Sequence, residues 1–474
     1  MLKLKTYILS FVVLFLCCNN LQAQSLKDQV SNAYRSFNSH ENIKNGISSL
    51  TVLNGKTGEL IFSNNASIGL PTASTQKVIT AITALDILGP DYKFKTTLSY
   101  SGELDTTGTL NGDIIITGTG DPTLGSERYE GTRKNTVLDK WISKIKTSGI
   151  QRITGRIIVD DLFLNGNDIP SGWTWSDMGN YYGAGVSGVN WAENKIGLTF
   201  KPGIIGAPAQ LAALTDSLPE VTIINEVITS SNGSGDNVYA YAAPYSQIIY
   251  LRGTHGKDLK KNIEISDPNP ALTLAYQLRS GLNEQGIFVD SIATTGKLLA
   301  NQHILVPKST TTLDTHESPK LTQIVHWFNQ KSINLYGEAL LKSIGFLSGN
   351  QTNSDEAAKL IAKYWEQKLK IPTGEIRAVD GSGLSPQARV TTMAMSKIML
   401  YAQNRPWFTD FEKSLPTING MTMKSGTIGG VLGYTGYQKT KSGNTVVFTL
   451  LVNNYAGGAT TMRQEMFKLL NTLK

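Results

Sequence analysis

Cysteine is nearly missing from this 474-residue chain, which has only Cys17 and Cys18, side by side near the amino terminus. That count excludes a disulfide scaffold. Histidine is almost as scarce: His40, His255, His303, His316 and His326 are scattered with no metal-ligand spacing and read as surface or core residues. Charge is modest, 17% of residues, with 44 Lys+Arg against 37 Asp+Glu and a formal net charge of +7. No Lys/Arg-rich run concentrates that excess, so it reads as ordinary surface charge and no nucleic-acid site is expected. Long apolar runs are missing too; past the first 18 residues nothing approaches the ~18 uninterrupted apolar residues of a membrane helix. What is present, 40% hydrophobic residues over 474 positions, is globular composition with chain enough for two or three domains.

The first 25 residues read as an address. Lys3 and Lys5 precede an apolar run from Tyr7 to Cys18, then Asn19-Asn20-Leu21-Gln22-Ala23, the layout of a signal peptide spanning 1–23. Both cysteines would leave with it, so thiol catalysis and cysteine-ligated zinc are not expected in the mature chain. A lipid-anchored cysteine is disfavoured by the bulky Leu16 before Cys17. The mature protein is expected to be exported and soluble, with at most peripheral membrane contact.

Ser48–Leu53 and Glu59–Ser63 flank Asn54-Gly55-Lys56-Thr57-Gly58 as a β-hairpin. Pro71–Ser74 then opens a helix, with Val78, Ile79, Ile82 and Leu85 at helical spacing and Gly89-Pro90 as its stop. From about 95 to 285 the chain turns Gly/Thr/Asn-rich with short β-runs, a mostly-β inserted module. Helical periodicity returns at Leu321–Phe328 and again from Glu356 to Leu369. Thr422–Thr427, Gly433–Gln438 and Thr445–Asn453 read as strands and Thr461–Leu473 as an amphipathic helix. The two ends, 24–94 and 286–474, would then share one sheet.

With histidine and cysteine nearly excluded, a hydrolytic site needs a serine with a lysine base. Ser74-Thr75-Gln76-Lys77 offers that pair: at i and i+3 on a first helical turn the two side chains share a face, and the helix N-terminus favours both an alkoxide and a neutral lysine. The spacing alone is weak, since Ser143–Lys146 repeats it, but Ser74 is followed by an almost wholly apolar helix. A serine–lysine design also needs S-x-N and K-[TS]-G elements. Lys331-Ser332-Ile333-Asn334 and Lys424-Ser425-Gly426-Thr427 supply them in the right order. Ser36-Phe37-Asn38, Lys56-Thr57-Gly58 and Lys441-Ser442-Gly443 match by letter but sit in the wrong settings. Gly183–Gly188 fits G-x-G-x-x-G, yet no convincing helix follows it, and no nucleotide cofactor is expected.

With these motifs the chain resembles the penicillin-binding D-Ala-D-Ala carboxypeptidases of low molecular mass, class C (the penicillin-binding protein 4 type). Further strings carry the resemblance over the mature chain: Gly118–Leu124, Gly172-Trp173-Thr174-Trp175, Asn329–Tyr336, Asp380–Ser385 and Leu451–Tyr455. It implies an α+β fold: a β-lactamase/transpeptidase-like domain with an antiparallel five-stranded sheet and flanking helices, split by two nested accessory domains. It implies cleavage of the terminal D-Ala from peptidoglycan stem peptides in the periplasm, with endopeptidase action on cross-links, and acylation by β-lactams.

Carried over residue by residue, Ser74 is the nucleophile, Lys77 its base and Ser332 the relay to the leaving amine. Asn334 orients substrate, and Lys424, Ser425, Gly426 and Thr427 form the strand that receives the terminal carboxylate. Ser74 and Thr427 would give their N–H groups to the oxyanion. Asp121 and Arg389 are candidates for the amine and carboxylate of a diamino-acid side chain. No metal or cofactor is implied. The path from Ser414 to Lys424 is shorter than the resemblance leads one to expect, with Thr417-Ile418-Asn419-Gly420 in place of a longer loop. Two other readings keep the scaffold: a β-lactamase or esterase, and a non-catalytic peptidoglycan-binding protein.

Overall fold

The computed structural model describes residues 25–164, 166–350 and 352–474. The expected signal peptide and both cysteines lie outside the described residues. No described helix is long and apolar enough to cross a membrane.

Both ends of the chain build one antiparallel sheet, in the spatial order Leu60–Asn64, Ile47–Asn54, Thr445–Asn453, Val431–Lys439, Met421–Ile428, Thr417–Ile418. Five of these strands match the expected sheet. The sixth, only two residues long, comes from the shortened loop: Asn419 and Gly420, at φ +49° and +66°, make a tight hairpin pairing Thr417–Ile418 with Met421–Thr422. The central strand Thr445–Asn453 reads as a continuous apolar run because both of its faces are covered. Val446, Phe448, Leu450 and Val452 pack under the helices Leu26–Asn38 and Ala459–Leu470. Val447 points the other way, into the core that holds helices Lys77–Ile87, Asn334–Gly349 and Thr392–Ala402.

Helix Lys77–Ile87 is buried from Lys77 to Leu85. Its threonines survive there by bonding: Thr83 Oγ1 donates to the Ile79 carbonyl and Thr80 Oγ1 to that of Gly381, each at 2.7 Å. Gly89, at φ +87°, ends it.

The insertion contains two large apolar cores of its own and a small third cluster of Ile115, Ile158 and Leu299. The first packs helices Lys134–Thr147 and Pro270–Glu284 on a five-stranded sheet ordered Thr294–Thr295, Ile157–Asp160, Ile114–Gly118, Lys95–Tyr100, Thr311–Glu317. The second is all β, built between Lys195 and Ser266. The excursion therefore does not end near 285. Thr311–Glu317 pairs antiparallel with Lys95–Tyr100, and Lys95 and Glu317 are register partners, so the insertion leaves beside the point where it began.

Candidate active site

Ser74 lies in a 3₁₀ turn, Ala73–Gln76, that runs straight into helix Lys77–Ile87. In a 3₁₀ turn, side chains at i and i+3 eclipse, and the Lys77 ammonium donates to Ser74 Oγ at 2.9 Å. Lys77 also donates to Asn334 Oδ1 at 2.7 Å and to the Ser382 carbonyl at 2.8 Å. It is fully buried, and among the described residues its bonds go to a hydroxyl, an amide oxygen and a backbone carbonyl rather than to a carboxylate. Burial, reinforced by the charge of Lys424 and opposed by Asp380 and Glu338, drives its pKa well below the ordinary lysine value. A lysine that readily sheds its proton, within hydrogen-bond reach of a serine hydroxyl, is a general base in position.

Lys424 sits on strand Met421–Ile428, 2% exposed, and donates to Ser332 Oγ and to the Ser425 carbonyl, both at 3.0 Å. Burial lowers its pKa to about 7. Ser332 adopts φ +56°, an unusual backbone for a serine, just before helix Asn334–Gly349. Hydrogen bonds thus join Ser74, Lys77 and Asn334 in one group and Ser332 with Lys424 in a second, and the two groups meet along the chain at Ser332 and Asn334, two residues apart, as one cluster.

Two glycines set how closely the walls approach the nucleophile. A Cβ at Gly426 would stand 2.6 Å from the Thr72 carbonyl oxygen, 2.7 Å from the Thr75 nitrogen and 2.8 Å from the Ser74 nitrogen. A Cβ at Gly383 would stand 2.0 Å from the Ala73 carbonyl oxygen. The Gly383 loop is braced by Asp380, whose carboxylate accepts from the N–H groups of Gly383 (2.9 Å) and Ser385 (2.7 Å) and from Trp173 Nε1 (2.9 Å). The Asp380–Ser385 string therefore shapes the site rather than reacting in it.

A cleft of about 710 Å³ opens over the cluster, lined by Ser74, Ser332, Asn334 and Thr427. Asp121 and Arg389 are not among the residues that line it. Asp121 is turned inward: its Oδ1 accepts from the Thr123 N–H and hydroxyl, Asn190 ties down its backbone, and Oδ2 has no partner among the described residues. Burial raises its pKa to about 6. Arg389 staples its own loop, donating to the carbonyls of Pro386 and Ala388.

Sequence reading missed the opposite wall, which the insertion supplies: Arg128, Asp177, Tyr182, Glu193, Lys195 and Glu264. Their one signal was the quoted Gly172–Trp175 string, two residues before Asp177. It also missed Arg463, on the last helix, whose guanidinium donates to Thr427 Oγ1 at 3.2 Å. Nothing in its local sequence marks it. Among the described residues no three His, Cys, Asp or Glu side chains are grouped to hold a metal.

Residues 32–473 match the family described as the D-Ala-D-Ala carboxypeptidase 3 (S13) family. The chain is 24% identical over 452 residues to a D-alanyl-D-alanine carboxypeptidase of Actinomadura sp. (strain R39), covering 89% of this chain and 80% of that one. It is 24% identical over 435 residues to the D-alanyl-D-alanine carboxypeptidase DacB of Haemophilus influenzae, 84% of each chain. The crystal structure of penicillin binding protein 4 (dacB) from Haemophilus influenzae shares the fold, with a TM-score of 0.76 at 21% identity over 93% of this chain and 97% of that one. The same protein complexed with a β-lactam superposes with a TM-score of 0.71.

Proposed function

The chain belongs to the D-Ala-D-Ala carboxypeptidase 3 (S13) family, and from that premise we propose that it removes the terminal D-Ala of peptidoglycan stem peptides through an acyl-Ser74 intermediate. The observation that carries this is the 2.9 Å contact between Ser74 Oγ and a buried, readily deprotonated Lys77. Neutral Lys77 takes the Ser74 proton as Oγ attacks the penultimate D-Ala carbonyl. The developing oxyanion lies against the N–H groups of Ser74 and Thr427; such donors contribute on the order of 3 kcal/mol each. Ser332, bonded to Lys424, passes a proton to the departing D-Ala nitrogen, and water then hydrolyses the ester. Lys424, Ser425 and Thr427, joined by Arg463, receive the terminal carboxylate.

β-Lactams would acylate the same serine, because their amide imitates the scissile bond. Cleavage of cross-links gains support from the shape of the site. The cleft shares Arg128, Glu193, Lys195 and Glu264 with an adjoining space of about 620 Å³, room for the second stem of a cross-linked pair. Export to the periplasm follows from the leading 23 residues and fits this substrate.

The test is mass spectrometry of the mature protein after penicillin exposure, with peptide mapping of the adduct and release of D-Ala from a pentapeptide. One adduct on Ser74, lost in Ser74→Ala together with D-Ala release, is the expected result. An adduct elsewhere overturns the assignment of the nucleophile. Absence of both adduct and D-Ala release leaves a binding protein, and rapid release of hydrolysed penicillin a β-lactamase.

A further inference from the structure

Where the chain passes from the loop beside the cleft into strand Lys195–Lys201, Ala192, Glu193 and Asn194 adopt φ +52°, +56° and +51°. Three consecutive left-handed residues without a glycine are disfavoured, because each Cβ crowds a backbone carbonyl. Such backbone persists only where the surroundings over-determine it, and here they do. The Ala192 N–H donates to the Leu124 carbonyl at 2.9 Å, and Asn194 Oδ1 accepts from the Trp191 N–H at 2.9 Å. Asn194 Nδ2 donates to the Gly185 carbonyl at 2.7 Å and to Asn190 Oδ1 at 2.8 Å.

The strained turn delivers one side chain. Glu193, 6% exposed, accepts at Oε1 from Tyr336 Oη (2.8 Å), Ser126 Oγ (2.8 Å) and Arg128 Nε (2.7 Å), and at Oε2 from Arg128 Nη2 (3.2 Å). Arg128 in turn lies over the Trp327 ring, 5.3 Å from its centroid. Tyr336 is two residues past Asn334, in the first turn of the same helix. The amide of Asn334 is itself held from the insertion: its Nδ2 donates to the Tyr182 carbonyl at 2.8 Å while its Oδ1 takes the Lys77 ammonium. The insertion therefore grips this first turn twice, and the left-handed Ser332 directly before it needs such an anchor.

We infer that Glu193 is a positioning residue for the acylation step: through Tyr336 it fixes the first turn of helix Asn334–Gly349, so that Asn334 meets Lys77 and Ser332 meets Lys424. The accessory module then completes the catalytic machinery instead of merely walling the cleft. This rests on the acyl-Ser74 reading, and the experiment separates the two.

The rate of acylation by a reporter β-lactam is measured from pH 5.5 to 9 on the mature protein and on Glu193→Ala, Glu193→Gln and Tyr336→Phe, with melting curves for each. Glu193→Ala and Tyr336→Phe are expected to lose about tenfold to a hundredfold in the acylation rate constant, the scale of an ångström-sized misplacement. Reporter affinity should change far less. The acid limb, set by Lys77, should move to lower pH, because losing the Asn334 acceptor disfavours the ammonium. The charged neighbours of Lys77, namely Lys424, Asp380 and Glu338, are the same in every variant. Glu193→Gln, which retains an Oε1 acceptor for Tyr336, should recover most of the rate. If Glu193→Ala does not fold, Tyr336→Phe, lacking one hydroxyl, decides. Variants that melt lower yet keep the parent rate and acid limb overturn the inference. Failure of the parent protein to label at Ser74 overturns the acyl-serine reading instead.

Discussion

Replacing Gly426 by alanine tests whether the Lys424–Thr427 strand and the nucleophile turn are held at a working distance. The added Cβ would stand 2.6–2.8 Å from three backbone atoms, the Thr72 oxygen and the Thr75 and Ser74 nitrogens. None is the tip of a side chain that can swing away. Thr75 Oγ1 fastens the turn to the Thr72 carbonyl at 2.6 Å, and Gly383 presses on it from the other side. The strand must therefore retreat, by about 0.8 Å to bring the shortest contact to 3.4 Å. Thr427 and its N–H move with it, away from where the oxyanion forms. A displacement near 1 Å costs about a hundredfold in rate, so a loss of about tenfold to a hundredfold in acylation is expected. Overpacking should also cost about 1–3 kcal/mol of stability. The assay is stopped-flow acylation by a fluorescent penicillin, with a melting curve on the same sample. Gly131→Ala, where a Cβ meets nothing within 4 Å, is the control and should match the parent. A Gly426→Ala protein that acylates within about threefold of the parent would falsify this account of the oxyanion geometry.

Three further outcomes follow from charged side chains. Lys424 has a folded pKa of about 7 against an ordinary 10.5, so between those values the unfolded chain holds a proton that the folded one lacks. Stability should rise with pH across that window, and Lys424→Met should flatten the rise in melting temperature, with Lys77 and Lys342, both also lowered by burial, contributing to what remains. Asp121, raised from 3.8 to about 6, has the opposite sign: its contribution is complete below 3.8 and lost as pH rises through 6. Asp121→Asn should gain on the parent in melting temperature from pH 5 to 7 while acylating normally; impaired acylation would return Asp121 to the substrate site. Arg463→Ala should weaken turnover of peptides ending in a free carboxylate by about tenfold to a hundredfold, the worth of a hydrogen bond to a charged group. Amidated peptides should be spared, and equal loss on both would remove Arg463 from carboxylate recognition.

What the sequence disclosed was whatever depends on near neighbours. Ser74 and Lys77 are three residues apart, so one turn settles their meeting. Thr445–Asn453 was legible to the residue because burial on both faces leaves a run of apolar side chains. Thr311–Glu317 is the opposite case. Threonines, Asp314, His316 and Glu317 carry no alternating apolar signal, and the segment is a strand only because Lys95–Tyr100 lies alongside. The Asn419-Gly420 hairpin signal was present but flanked a strand of two residues, too short to register. Asp121 was illegible for a different reason: a Gly-Asp-Pro turn looks the same whether its carboxylate faces solvent, substrate or the interior. The far wall of the cleft, from Arg128 to Glu264, is assembled across the insertion, and no local pattern announces it.

Three of the residues that break local rules stand at the site. Ala73 precedes the nucleophile at φ +45°, Ser332 carries the relay hydroxyl at φ +56°, and Glu193 reaches toward the same helix from φ +56°. Each such residue costs on the order of 1–3 kcal/mol, and each is held by a different part of the chain. Ala73 is pressed by the Gly383 loop, Ser332 is bonded by Lys424 from strand Met421–Ile428, and Glu193 is braced within the insertion. No single segment can hold all three. The Ser74–Lys77 pair could form on an isolated turn, but the cluster that makes it useful exists only once the two ends of the chain have closed around the insertion. Conditions that loosen the insertion should therefore silence acylation before they unfold the sheet.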